Sequence, residues 1–118
     1  MRVGAGAEVT ASALLDRTKG RFRAWGLEGG LPGGYAAILV KRRGETAFRT
    51  VPEVFGTVSA SKFTNIVLRE GDEVLLDSPG GGGFGDPHQR APEAVANDVS
   101  EGFVSDDAAR RLYGRAQA

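Results

Sequence analysis

Two clusters of glycine constrain the fold of this chain more than any other feature of its sequence. Of 118 residues, 18 are glycine, about twice the usual share of roughly 7%. They concentrate in residues 26–34 and residues 80–85, with large side chains such as Trp25 and Phe84 beside or among them. Glycine tolerates positive φ and lets another backbone come close. The clusters therefore predict structured loops, and they exclude regular helices and central strands there.

Outside the glycine clusters, several apolar segments predict β-strands. Residues 8–16 alternate between apolar and polar side chains, which is the period of a half-buried strand. Residues 35–42 are nearly continuously apolar, as in a buried strand. Residues 46–51 alternate weakly and suggest a further short strand before Pro52.

A second pair of strand-like segments suggests a β-hairpin. Residues 62–68 and 73–78 are both rich in apolar side chains, and the sequence Arg-Glu-Gly-Asp at 69–72 joins them. A glycine next to an acidic residue is a good turn signal between two strands. We therefore expect the two segments to pair with each other.

Two short helices are expected after the second glycine cluster. Pro92 suits the first position of one helix, and Gly102 suits its C-terminal stop. Ser105 can cap a second helix, and Gly114 can end it. The predicted fold class is α+β, mainly antiparallel β with long glycine-rich loops and two short C-terminal helices.

We expect residues 1–118 to form a single region, β-rich over 1–87 and helical over 88–118. The 15 basic and 15 acidic residues give a formal net charge of +0, which offers no footprint for nucleic acid or an anionic membrane. The chain has no cysteine, so disulfides and thiolate chemistry are excluded. No apolar run approaches the ~20 residues that a membrane span needs, and the start lacks a signal-peptide core. A cytoplasmic location is expected.

The sequence SPGGGGFGDP at residues 78–87 is the strongest motif in the chain. It resembles the glycine-rich signature of the hydantoinase B / 5-oxoprolinase / acetone carboxylase B-type subunit family. Three upstream segments also resemble elements of that family, and in the same order: RVGAG at 2–6, WGLEGGLPG at 25–33 and SKFT at 61–64. The resemblance spans nearly the whole chain and corresponds to the carboxy-terminal portion of subunits that are several times longer.

The resemblance implies a component of an ATP-dependent cyclic-amide hydrolase of hydantoinase or 5-oxoprolinase type, inactive as an isolated chain. It implies ATP and a divalent metal for the complete enzyme, with the metal ligands mostly outside this chain and no cofactor bound by the chain itself. The implied partners are an ATP-handling A-type subunit, the missing portion of the B-type subunit, or both, and a homo-oligomer is a further option. The alternative is a non-catalytic assembly module docking on a larger enzyme subunit. Hydantoin, 5-oxoproline, another lactam or a ketone all remain open as substrate.

The second glycine cluster matches nucleotide-binding patterns only in its spacing. Gly80, Gly82 and Gly85 fit G-x-G-x-x-G, but Asp86 and Pro87 follow where a Rossmann helix or the Lys-Ser/Thr of a P-loop would begin. A structural loop or a subunit contact is favoured over direct ligand contact. The glycine candidates for ligand or interface binding are Gly29, Gly30, Gly80, Gly81, Gly82, Gly83 and Gly85.

Four side chains, Asp86, Trp25, Arg17 and Lys62, leave more than one role open. Asp86 could orient a histidine or metal ligand, or cap its own loop as an Asx-turn. His88, the only histidine, is expected to be an exposed loop residue and not part of a metal site. Trp25 could fill the core, stack on a ligand or anchor an interface. Arg17 and Lys62 could hold anions or be ordinary surface cations.

Overall fold

The computed structural model describes residues 1–114, so residues 115–118 of the predicted helical tail lie outside the described residues. The chain divides into two compact units. The first unit comprises Met1–Arg23 and Gly34–Gly80, and the second comprises Ala24–Gly33 and the chain from Gly81 onward.

Residues 1–114 contain five strands and three α-helices, which confirms the α+β class. Single 3₁₀ turns form at Gly20–Phe22 and Pro87–Gln89. The strands are β1 (Glu8–Leu14), β2 (Ala37–Lys41), β3 (Arg49–Thr50), β4 (Lys62–Arg69) and β5 (Glu73–Asp77), and the helices are α1 (Val51–Phe55), α2 (Pro92–Ser100) and α3 (Asp106–Tyr113).

The first sheet of unit 1 pairs β1 with β4 in antiparallel orientation. The predicted alternation of β1 is confirmed, because Val9, Ala11 and Ala13 pack against the core while the intervening residues are exposed. The register shifts between Ala11 and Ala13, and Asn65 in the facing strand has a positive φ of 55°. This is the geometry of a β-bulge, which bends the strand.

The predicted hairpin between residues 62–68 and 73–78 is wrong, although the turn between them is present. Gly71 has a φ of 84°, and the amide of Asp72 donates to the carbonyl of Arg69 at 2.9 Å. Beyond this turn the strands separate, because β5 joins the second sheet, ordered β3-β2-β5. The N-terminal segment lies along the turn instead, and the amide of Val3 donates to Asp72 O at 2.9 Å.

The predicted strand over residues 46–51 is largely replaced by a helix start. Only Arg49 and Thr50 are extended, and α1 begins at Val51. The Glu53 carboxylate accepts from the backbone amide of Thr50 at 2.7 Å and from its hydroxyl at 2.8 Å. The sequence T-x-x-E therefore starts a helix here, and Gly56, with a φ of 69°, stops it.

One hydrophobic core lies within unit 1. Its buried members come from both sheets, from α1 and from the N-terminal segment: Val3, Ile38, Val40, Val51, Phe63, Ile66 and Leu68. Val40, Val51 and Leu68 are completely inaccessible to solvent. Each such side chain contributes about 1.5–3 kcal/mol relative to an exposed position.

Unit 2 contains both predicted C-terminal helices, with the expected starts and stops. Pro92 opens α2, and Gly102 follows it with a φ of 79°. The Ser105 hydroxyl accepts from the amide of Ala108 at 3.1 Å, and Gly114 ends α3 in the left-handed conformation. In the described part of the chain, every helix is too short or too polar to cross a bilayer.

Candidate functional site

The two glycine clusters of the sequence form a pair of loops in unit 2. We call residues 24–33 the tryptophan loop and residues 81–86 the glycine loop. Their backbones are joined by three hydrogen bonds: Leu27 N to Gly83 O at 2.9 Å, Gly83 N to Leu31 O at 2.8 Å and Gly85 N to Leu27 O at 2.9 Å. Leu27 and Phe84 form a parallel bridge at the centre of the contact. The two loops are therefore held together through their backbones.

The close approach of the two loops explains why glycine occupies several of these positions. A Cβ atom on Gly30 would lie 2.0 Å from the carbonyl oxygen of Gly83, and one on Gly82 would lie 1.9 Å from that of Trp25. Both distances are far inside van der Waals contact, so these two positions exclude any side chain. By contrast, a Cβ on Gly80 or Gly81 would meet nothing within 4 Å.

Other glycines in the loops have different reasons to be glycine. Gly29 and Gly85 have φ values of 87° and 77°, which side-chain-bearing residues rarely adopt. The amides of Gly83 and Gly85 donate to the tryptophan loop, so in this arrangement these two amides have a structural role. Ligand contact by the glycine loop remains a prediction.

Asp86 caps the turn that follows the glycine loop and also contacts the only histidine. Its Oδ1 accepts from the amide of His88 at 2.9 Å and lies 3.1 Å from His88 Nδ1. The backbone hydrogen bond, followed by the side-chain contact, lowers the pKa of the Asp86 carboxyl below its usual range. Pro87 begins the 3₁₀ turn that this cap starts. Both sequence interpretations of Asp86, as a cap and as a partner of histidine, describe parts of this geometry.

The Asp86–His88 pair does not fit a metal centre on its own. His88 is exposed, as expected from the sequence, and the two side chains offer two ligands where a metal site takes three or four from the protein. Across residues 1–114, no group of three or more His, Cys, Asp or Glu side chains could hold a metal ion. The described residues therefore do not fit the divalent metal that the resemblance implies.

A cavity of about 380 Å³ lies beside the glycine loop within unit 2. Asp86 and Arg90 give its lining opposite charges, and Arg90 is held by Asp98 at 2.6 Å. Leu31, Phe84 and Tyr113 form much of the remaining wall. The cavity could accept a small polar group with an apolar part.

Large apolar side chains of the two loops point into solvent. Trp25 is 76% exposed, Leu27 57% and Phe84 80%. Packing of Trp25 in the core, one of the options left by the sequence, is therefore wrong. Its roles as an interface anchor or a stacking platform remain predictions.

Arg17 and Lys62, 45 positions apart in the sequence, line one cavity of about 540 Å³ in unit 1. Sequence reasoning singled out these two cations but missed the residues that accompany them. Asp16 lies 3.8 Å from Lys62 as an exposed ion pair. The other lining residues are Leu15, Thr18, Lys19, Phe22, Ser59 and Ser61. Adjacency to Arg17 or Lys62 was the available signal for three of these neighbours: Asp16, Thr18 and Ser61.

Comparison with known proteins places the chain in a family. A sequence profile described as Hydantoinase B/oxoprolinase matches residues 1–87, which include both loops and both sheets. The chain belongs to the hydantoinase B/oxoprolinase family. The resemblance drawn from the glycine motif and its upstream companions is confirmed.

Individual relatives of this hydantoinase B-type chain are similar over parts of its length. It is 28% identical over 94 residues to the putative D-/L-hydantoinase B-type subunit of Pseudomonas sp. (strain NS671), covering 80% of this chain and 14% of that protein. It is 45% identical over 51 residues to the caprolactamase beta chain of Pseudomonas jessenii, covering 43% of this chain and 9% of that protein.

The fold of the hydantoinase B-type chain is also found in a solved structure. The crystal structure of ATP-dependent caprolactamase from Pseudomonas jessenii matches 90% of this chain with a TM-score of 0.64 and 25% identity. The match covers 17% of that chain. The hydantoinase B-type chain therefore spans a small share of the length of these relatives.

Proposed function

We propose that this chain is a component of an ATP-dependent enzyme that opens cyclic amides, of the hydantoinase or 5-oxoprolinase type. The observation that carries this proposal is the similarity of 90% of the chain, in fold as well as sequence, to a segment of ATP-dependent caprolactamase. The family profile over residues 1–87 supports it as well. Hydantoins, 5-oxoproline and lactams such as caprolactam are the proposed substrate class.

We propose that this chain has a structural role in the enzyme and that other parts of the enzyme carry out the reaction. The match covers 14% of a hydantoinase B-type protein and 17% of a caprolactamase chain. The side chains of residues 1–114 do not fit a metal centre. We propose that ATP is handled by an A-type subunit, and that metal and substrate are held mainly by the remaining B-type segment. An enzyme of this kind would work in the cytoplasm.

The paired loops are the part of the chain that we propose contacts the rest of the enzyme. Three backbone hydrogen bonds fix the loops against each other, so Trp25 and Phe84 are presented from a stiff backbone. Stiff, exposed aromatic side chains lose little conformational entropy on binding and are common interface anchors. The second candidate function, a non-catalytic assembly module, is favoured by the same exposed side chains.

Reconstitution separates the two candidates. The A-type subunit and the remaining B-type segment from the same organism would be co-expressed with and without this chain. ATP hydrolysis and ring opening of hydantoin, 5-oxoproline and caprolactam would then be measured. We expect ring opening only when all components are present. An assembly module would change complex size or yield but leave turnover per complex unchanged, and a chain that never co-purifies would contradict both candidates.

A matched pair of variants tests whether the loops make the contact. Trp25→Ala should lower co-purification with the B-type segment by about tenfold or more, as expected for an interface anchor. Phe103→Ala removes another exposed aromatic side chain of unit 2, outside the two loops, and should leave co-purification unchanged. Equal losses for the two variants would argue against a specific role of the loops.

A further inference from the structure

The cavity around Arg17 and Lys62 in unit 1 has a lining that is strongly biased toward positive charge. Arg17, Lys19 and Lys62 are cationic, and Asp16 is the only acidic residue in the lining. Three cations minus one carboxylate give a formal charge of +2. Within residues 1–114, Lys62 has Asp16 at 3.8 Å, whereas neither Arg17 nor Lys19 has a carboxylate oxygen within 4.0 Å. The charge of the cavity is therefore not neutralised by the described part of the protein.

The hydroxyl groups of the cavity add further hydrogen-bond donors. The Ser59 hydroxyl oxygen accepts from the backbone amides of Ser61 at 3.2 Å and Lys62 at 3.1 Å. With its lone pairs used in this way, the Ser59 hydroxyl can direct its proton to Ser61 Oγ, at a long 3.5 Å, or to a bound acceptor. The Thr18 hydroxyl donates to Ser61 Oγ across a long 3.4 Å contact, and Ser61 itself is 8% exposed. The set has more donors than acceptors, so the group it lacks is an acceptor.

The backbone at Arg17 is held in the left-handed conformation, which is uncommon for a residue with a side chain. Arg17 has a φ of 63°, which costs free energy for a residue with a side chain. Its carbonyl accepts from the amide of Ala36 at 3.0 Å, and Leu15 nearby donates to Ser61 O at 2.9 Å. Such strained residues cluster at ligand sites. These two backbone hydrogen bonds hold the segment from which the Arg17 guanidinium extends.

We propose that this cavity binds a phosphoryl group, carried either by inorganic phosphate or by a small phosphorylated organic compound. The lining charge of +2 matches the charge of about −1.5 to −2 that a phosphate group carries near pH 7. A phosphate presents three or four acceptor oxygens, which suits several cations and hydroxyls better than the two oxygens of a carboxylate. Leu15 and Phe22 also line the cavity, and its volume of about 540 Å³ lies in the range of small-molecule sites.

Phosphoryl binding at this cavity goes beyond the proposed function, because it follows from the lining residues alone. It can be tested on the full chain without ATP or partner subunits. Inorganic phosphate, phenyl phosphate and acetate would be titrated at constant ionic strength and about pH 7.5, where a phosphate group is mostly doubly charged. Calorimetry and amide shifts in NMR spectra would follow the binding. We expect saturable binding of phosphate with a dissociation constant of about 1 mM or tighter, and binding of acetate at least about tenfold weaker.

Phenyl phosphate identifies the source of the phosphoryl group. Tighter binding of phenyl phosphate than of inorganic phosphate would support a phosphorylated organic ligand, and equal or weaker binding would support free phosphate. The absence of saturable binding by both phosphates would overturn the proposal. The proposal would also be overturned if acetate bound with the same affinity as phosphate, because the cavity would then be a generic anion site.

Three variants and one control locate the binding. Arg17→Asn removes the cation but keeps a residue that tolerates positive φ, and Lys62→Gln removes the second cation. Each should weaken phosphate binding about tenfold or more. Asp16→Asn removes the competing carboxylate and should strengthen binding by about two- to fivefold. The control, Arg110→Gln, removes an exposed cation of α3 and should change nothing.

Weaker binding by a variant could result from misfolding, but tighter binding could not. The gain in affinity expected for Asp16→Asn therefore tests the site without this ambiguity. The fold of Arg17→Asn and Lys62→Gln would be checked by circular dichroism. If both folded variants bound phosphate with unchanged affinity, phosphate would bind elsewhere and the assignment would be overturned. A lack of phosphate binding would not contradict the proposed role in ring opening. A lack of ring opening after reconstitution would not contradict phosphate binding, so the two proposals can fail separately.

Discussion

The Asp72 carboxylate forms a 3.0 Å ion pair with the guanidinium of Arg42, in which the aspartate is buried and the arginine is partly exposed. The same carboxylate accepts from the backbone amides of Arg69 at 2.8 Å and Arg43 at 3.0 Å. It therefore ties the turn after β4 to the chain after β2. One side chain joins the two sheets of unit 1 where a hairpin was expected.

Replacing Asp72 should destabilise unit 1. In Asp72→Asn one of the two carboxylate oxygens becomes an NH₂ group, which cannot accept from an amide or a guanidinium. We expect a loss of about 1–3 kcal/mol, the usual penalty for leaving buried donors without an acceptor. Urea unfolding followed by circular dichroism would measure it. Asp77→Asn, at the exposed end of β5, is the control and should stay within about 0.5 kcal/mol of wild type.

The stability of the protein should fall in acid, in part because of Asp72. Burial raises the pKa of its carboxyl, but the amides of Arg69 and Arg43 and the charge of Arg42 together lower it below the ordinary 3.8. A group whose pKa is lower in the folded state stabilises the fold above its unfolded pKa. This contribution should be complete near about pH 5–6 and disappear as the pH falls below 3.8 through the folded value.

The Asp72→Asn variant isolates this pH dependence from that of other carboxylates. The difference in unfolding free energy between wild type and variant should be constant from about pH 7 to about pH 5 and should shrink in more acidic buffers. Urea unfolding series at several pH values would measure this difference. A difference that grows as the pH falls would mean that the pKa of Asp72 is raised by folding.

The paired loops should tolerate alanine at one glycine and not at others. Gly30→Ala and Gly82→Ala would place a Cβ about 2 Å from a backbone carbonyl, so the loops must move apart. We expect losses of about 1–3 kcal/mol for each variant, as for other overpacked sites. Gly81→Ala meets nothing within 4 Å and serves as the control.

The fluorescence of Trp25 reports on these loop variants directly. It is the only tryptophan of the chain, and its carbonyl is the atom that a Cβ on Gly82 would strike. Thermal unfolding followed by this fluorescence should show lower midpoints for Gly30→Ala and Gly82→Ala only. Midpoints as low for Gly81→Ala would show that glycine flexibility, and not close approach, is what the loops require.

Substitutions at Arg17 should distinguish backbone strain from side-chain contacts. At a φ of 63°, glycine avoids a steric cost of about 1–2 kcal/mol that a residue with a side chain has in the folded state. Its greater backbone freedom in the unfolded state offsets about 0.5–1 kcal/mol of this gain. Arg17→Gly should therefore be as stable as wild type or slightly more stable. Arg17→Val, which adds a β-branch at positive φ, should lose more than about 1 kcal/mol. Chemical unfolding would compare them, and equal stability of the two variants would contradict a strained backbone.

Local signals in the sequence predicted local structure. Pro92, Gly102, Ser105 and Gly114 marked the limits of α2 and α3 because caps and stops act within one helical turn. The capping signal at Thr50 and Glu53 was equally local, and a search for T-x-x-E would have found α1. The glycine clusters, whose large neighbours argued against a flexible linker, lie mainly in the two hydrogen-bonded loops of unit 2.

Long-range relationships could not be obtained in this way. β4 pairs with β1 and β5 pairs with β2, while Met1 and Val3 form backbone hydrogen bonds with residues 71–74, and none of these partners is close in the sequence to both strands. Arg17 and Lys62 were recognised one by one as candidate anion ligands, but their common cavity with Ser59 arises from chain segments brought together by the fold. The exposure of Trp25 could not be predicted either, because its glycine-rich neighbours are compatible with a buried or an exposed side chain.

The contact between the tryptophan loop and the glycine loop changes what the family signature means. Gly30 and Gly82 are required by the volume of neighbouring carbonyl groups, so the packing of the two loops is enough to explain why glycine occupies these positions. A homologue that has lost its activity but still folds would keep this signature. The motif therefore identifies the architecture of a chain and does not by itself establish catalytic competence.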